Sequence, residues 1–196
     1  MVAMLVFSVF LAIVISSVVS ITRASTKVQT TARTTSSELV VFDRLDRQVR
    51  YSDSINFPGV GLTSGDMYVE FRIPASSTVN NVTLCTQWRY VPSTGVIQSQ
   101  TWPDTATPTF SGWDTEMTNV YNDGGSTYPF MLTPATGTSG KQLLTLTLDG
   151  GNTAVKGTAI KSVFIARNSS VQSPSNADVH VVGVSDTPIC PGATRP

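Results

Sequence analysis

Residues 2–21, VAMLVFSVFLAIVISSVVSI, carry no charged side chain, and how they are read decides the rest of the chain. Their only polar groups are Ser8, Ser16, Ser17 and Ser20, whose hydroxyls can bond back to the carbonyls of their own helix. A bilayer core of about 30 Å needs roughly 20 apolar residues at 1.5 Å each, so the stretch is long enough to cross one. A cleavable secretory signal would have a basic start, an apolar core of about 7 to 15 residues and a small-residue cleavage site. This segment has no basic start, its apolar run is too long, and SITRAST after it is a poor cleavage site. The expectation is a retained membrane helix.

Two features disagree about its orientation. Arg23, Lys27 and Arg33 follow the apolar run and nothing basic precedes it, which by the positive-inside rule puts the remainder in the cytoplasm. The remainder is rich in Thr, Ser and Gly, and the chain is only 13% charged. It has just two cysteines, Cys85 and Cys190, far apart and in no metal-like spacing, which suits one disulfide in an oxidising compartment. A short basic leader upstream of Met1 would reverse the charge asymmetry and place the domain outside.

Formal charge sums to zero, with 13 basic and 13 acidic residues, and no basic face interleaved with aromatics points to nucleic acid. Charge is dense just after the apolar run. There Val28, Ala32, Leu39, Phe42, Leu45 and Val49 recur in steps that predict one face of an amphipathic helix. Asp43 with Arg47 and Asp46 with Arg50 are i,i+4 pairs in the favourable order. No proline occurs before Pro58, so a single rod to about Tyr51 is expected. Its weak part is QTTARTTSS at 29–37, where β-branched and hydroxyl side chains disfavour helix unless neighbours hold it. NFPG at 56–59 ends the segment.

From there the period changes to two. MYVEFRI at 67–73, VTLCTQWRYV at 82–91, GVIQSQTW after the turn PSTG, YPFML at 128–132, QLLTLTL at 142–148, SVFIAR at 162–167 and DVHVVGV at 178–184 read as strands. DGGN at 149–152 reads as a turn, and about 103–127 as a loop-rich middle. The fold class is therefore α+β: a transmembrane half-helix over 1–22, an amphipathic half and linker over 23–57, and an antiparallel β head over 58–196. The strands from about Asp66 onward are expected to bury their own core.

Chemistry-bearing patterns are sparse. His180 is the only histidine and no nucleophile motif accompanies it, so no Ser/His/Asp set can be argued, and the count excludes a Cys/His zinc site. Asp114 and Glu116 in GWDTEM could be paired acids but read better as a polar loop. NDGG and LDGGN are isolated turns rather than calcium loops with six to eight oxygens. Trp88, Trp102 and Trp113 could form a sugar-binding surface, with core and loop packing the plainer alternative. NVT and NSS match the glycan acceptor pattern. No catalytic residue, metal or cofactor is expected.

A half-membrane, half-amphipathic N-terminal helix leading into a small β head resembles the type IV pilins and type II secretion pseudopilins. MVAMLVFSVFLAIVISSVV is similar to the stretch that follows that family's processing motif. FDRLDRQVRYSDSINFPG resembles the helix end of its large minor members, the PilW-type pilins and J-type pseudopilins, and SVFIARNSS is similar to their penultimate strand. The motif itself, Gly followed by Phe-Thr-Leu-Ile-Glu or a variant, would lie just upstream of Met1.

The resemblance implies a structural subunit that assembles with other pilin or pseudopilin subunits through Val2, Leu5, Val6, Phe7, Val9, Phe10, Leu11, Ile13, Val14, Ile15, Val18, Val19 and Ile21. It also implies a prepilin peptidase, an inner-membrane assembly platform and a cytoplasmic ATPase. The alternatives are a membrane-anchored adhesin using the tryptophan-rich middle and a membrane-tethered hydrolase.

Overall fold

The computed structural model describes residues 2–121, 129–151, 156–177, 180–181, 184–185 and 189–196. One helix, α1, runs unbroken over Val2–Arg50. The serine- and threonine-rich stretch does not interrupt it. Within it Ser36 donates back to the Ala32 carbonyl at 3.1 Å, and from Glu38 onward the head supplies the packing that propensity lacks.

Among the described residues the head has two larger antiparallel sheets and a two-stranded one. The first orders β1 (Ser54–Ile55), β3 (Met67–Ile73), β4 (Leu84–Val91), β5 (Val96–Pro103) and β6 (Asp114–Met117), with β2 (Gly59–Val60) also pairing β3. The second orders β7 (Phe130–Thr133), β8 (Gln142–Gly151) and β9 (Lys156–Ala166). β10 (His180–Val181) pairs with β11 (Val184–Ser185). DVHVVGV is thus not one strand where it is described, and its other residues, with Asn122–Gly125 and Asn152, lie outside the described residues.

The PSTG turn joins β4 to β5, where Gly95 donates to the Val91 carbonyl at 2.9 Å. Gly95 has φ +64° and lies so close to Val120 that a Cβ would meet its carbonyl oxygen at 2.7 Å, so only glycine fits both constraints.

Between the sheets lies one core of Val69, Phe71, Trp88, Tyr90, Ile97, Leu144, Leu146, Leu148 and Phe164, which α1 joins through Val41, Leu45 and Val49, with Ile55 from β1. This corrects two expectations. The strands do not bury a core of their own from Asp66 onward, because the end of the helix fills the gap between the two sheets. Sheet structure also begins before Pro58, at Ser54, because Ile55 pairs with Phe71 and is wholly buried. Asp114 and Glu116 of GWDTEM, expected in a polar loop, instead lie in the edge strand β6.

The face of the first sheet away from this core is covered by residues 189–196. Cys190 is disulfide-bonded to Cys85 of β4, with Cα atoms 5.7 Å apart, as the cysteine count suggested. Gln87 donates to the Thr194 carbonyl at 2.9 Å, and the Trp102 indole donates to that of Pro191 at 3.2 Å. Arg195 pairs with Glu70 of β3 and donates to the Phe57 carbonyl at 2.7 Å. Buried on both sides, β3 and β4 lose the simple alternation of a half-exposed strand; Glu70 and Gln87 are fully buried and Gln87 donates to Glu70 at 2.8 Å.

Candidate membrane and assembly helix

Val2–Gln29 of α1 is long and apolar enough to cross a membrane, and none of it is buried within the chain. Its 28 residues extend about 42 Å at 1.5 Å per residue, beyond the thickness of a hydrocarbon core. The thirteen apolar residues from Val2 to Ile21 expected to line it are between 41% and 79% exposed. Ser8 and Ser17 donate to the carbonyls of Met4 and Ile13 at 2.8 and 2.9 Å, and Thr22 to that of Val18 at 2.9 Å. These hydroxyls therefore present no unbonded donor to an apolar surrounding. Among the described residues α1 is the one helix that fits a membrane span by length and composition.

The amphipathic half divides differently from the sequence pattern. Leu45 and Val49 are wholly buried and Phe42 is half-buried, its ring 6.1 Å from that of Phe164. Val28, Ala32 and Leu39 face away from the head and are exposed, Leu39 at 62%. At about 100° per residue Leu39 lies roughly 120° round the helix from Leu45, too far for both to touch the same sheet. Val41 takes the core position instead. The spacing of Val41, Leu45 and Val49, strict steps of four, was the available signal, obscured by four consecutive apolar residues at 39–42. The exposed Val28, Ala32 and Leu39 fall on the same side of α1 as Phe10, Val14 and Ile21, giving a second apolar stripe that the head leaves open.

Polar contacts fix the helix to both sheets. Arg44 pairs with Glu116 of β6 at 2.8 Å, Gln48 accepts from the Trp88 indole at 2.9 Å, and the Arg50 carbonyl accepts from the Arg167 amide at 3.0 Å. Asp43 with Arg47 and Asp46 with Arg50 pair along the helix as their spacing predicts.

Glu38 is the exception among these polar groups. It is buried where α1 meets the end of β8, and its Oε1 has no hydrogen-bond partner among the described residues. Burial, reinforced by the charge of Asp149 and partly offset by a hydrogen bond from the Gly150 backbone, raises its pKa to about 7.

The other residues singled out in the sequence do not converge. Trp88 and Trp102 are buried, leaving Trp113 alone of the three near the surface, stacked under the Arg89 guanidinium at 4.0 Å. Asp114 is exposed, whereas Glu116 is occupied by Arg44 and Ser99. Asn168, the acceptor position of NSS, donates to the Tyr51 carbonyl at 2.8 Å. No protein family, curated protein or solved structure matches this chain.

Proposed function

We propose that the chain is a structural subunit of a type IV filament, a minor pilin or pseudopilin, held in the cytoplasmic membrane by α1 with its head outside the cytoplasm. On assembly, the apolar side of α1 exchanges lipid contacts for the helices of other subunits in a periplasmic or extracellular filament. A prepilin peptidase and an inner-membrane platform are the further partners that the resemblance implies. The observation that carries the proposal is the division of one unbroken helix: its first part is apolar and wholly exposed, while its last turns are built into the head core. An anchor alone has no need of such a rigid join.

The test substitutes Phe10→Asp in the full chain and, separately, expresses residues 28–196, which keep Val41, Leu45 and Val49. A carboxylate at mid-span costs roughly 2.5 to 3.5 kcal/mol on insertion scales. The fragment should melt cooperatively as a monomer and stay out of filaments, and the Phe10→Asp chain should fail to incorporate. Filament entry by either variant would rule the mechanism out.

A further inference from the structure

The second sheet ends at β9, which pairs with β8 and with no other strand among the described residues. The direction of its free backbone groups follows from its neighbours. The Thr147 amide donates to the Pro129 carbonyl at 2.8 Å, so the odd-numbered residues of β8 face β7 and the even-numbered ones face β9. With Leu144 opposite Phe164 and Leu146 opposite Ser162, the even-numbered residues of β9 carry that ladder. Lys161, Val163 and Ile165 therefore aim their N–H and C=O groups away from the sheet. Arg167, next in that series, donates to the carbonyl of Arg50, where the helix end closes the edge. No described residue bonds the backbone of the other three in that direction.

The side chains along this edge are apolar where an unguarded strand is most adhesive. Val163 is 51% and Ile165 49% exposed, while Thr145, opposite Val163 on β8, is buried, so the exposed apolar surface is confined to the edge strand itself. Its guards are Lys161 and Arg167, both exposed, which bracket the apolar pair. Antiparallel pairing of this edge with a second copy, centred on Phe164, would set Lys161 directly against Arg167 twice, and like charges in opposed positions are unfavourable. The same bracket attracts acidic residues. From this we propose that the β9 edge is a strand-addition site for a different protein, one presenting an extended segment with alternate apolar residues flanked on both sides by carboxylates. The added strand would pair with the backbone of Lys161, Val163 and Ile165, seat its apolar side chains beside Val163 and Ile165, and meet Lys161 and Arg167 with its acidic flanks. None of this depends on what α1 does in a membrane or filament.

The full chain in detergent micelles is titrated with the synthetic peptide Asp-Thr-Val-Thr-Val-Thr-Asp, capped at both ends, and with the same peptide carrying Lys in place of Asp. Amide hydrogen exchange at Lys161, Val163 and Ile165 is the readout. The acidic peptide should slow all three and bind roughly fivefold to tenfold more tightly than the basic one, the range expected of two cross-strand charge pairs. Val163→Pro removes an outward N–H without touching the β8 ladder and should abolish the protection at Lys161 and Ile165. Should that variant unfold, the double substitution Lys161→Glu and Arg167→Glu keeps the test sharp, because it should reverse the peptide preference. Equal binding of the two peptides, no slowing at the three amides, or the same protection from self-association without peptide would overturn the proposal.

Discussion

Glu38→Gln should remove a pH dependence of stability that is built into the join between helix and head. The native carboxyl, with its pKa raised from 4.5 to about 7, keeps its proton over a range in which the unfolded chain has lost it. Its contribution is therefore fully present below about pH 4.5, declines as pH rises, and is gone above about pH 7. At 1.36 kcal/mol per pH unit the full shift corresponds to about 3 kcal/mol, and screening of the Asp149 part by salt brings the expected loss to roughly 1 to 3 kcal/mol. For a chain of this size that is a fall in Tm of about 2 to 12 °C. Glutamine has the same shape and no charge to desolvate. Melts of wild type and Glu38→Gln in detergent micelles, followed by near-UV circular dichroism from pH 4 to 8, should nearly coincide at the acid end. They should then separate with rising pH, the variant becoming the more stable, and the gap should level off above about pH 7. Groups elsewhere cancel in the difference between the two proteins. A gap that is constant across the range, or that narrows with rising pH, would refute the assignment of a buried, proton-retaining carboxyl at this position.

The other expectations concern the head and are read from chemical denaturation and mass. Leu45→Ala should cost about 2 to 5 kcal/mol, as a cavity in a fully packed site does, whereas Leu39→Ala should lie within about 0.5 kcal/mol of wild type; equal losses would mean that the docked face of α1 is misplaced. Arg195→Ala strips the partner from the buried Glu70 and should destabilise by about 3 to 5 kcal/mol, while Lys141→Ala, which loses one donation to the Ser169 carbonyl, should cost clearly less. Unreduced exported protein should yield a Cys85–Cys190 linked peptide by mass spectrometry, and replacing both cysteines with serine should lower stability by up to about 4.7 kcal/mol for a loop of this length; two freely alkylated thiols would contradict the pairing.

The α+β order and the long strands were legible because each rests on a repeat that a sequence displays. Twenty uncharged residues, then alternation in MYVEFRI and QLLTLTL, require no knowledge of what packs against what. β1 and β2 were not legible, since two residues carry no period and their pairing is decided by β3. The same limit hid β6, whose four residues read as a polar loop until Glu116 is seen under Arg44. Glu38 shows the limit most plainly. A lone acid among serines and threonines suggests a solvated helix face, and only the arrival of β8 makes it buried. Cys85 and Cys190 could be paired by counting, but that their bond holds a cover over Glu70 and Gln87 follows from three-dimensional placement alone.

Because α1 passes from its exposed apolar part into the core without a linker, mechanical force has no slack to take up. A pull on residues 2–29 would reach Val41, Leu45 and Val49 directly and load the helix in shear against both sheets at once. The Arg44–Glu116 ion pair on β6 and the hydrogen bonds from the Trp88 indole and the Arg167 amide would have to yield together with that packing. Such a join fails as one event at high load instead of lengthening gradually, so the head would transmit tension as a stiff part of the rod up to the point at which it opens.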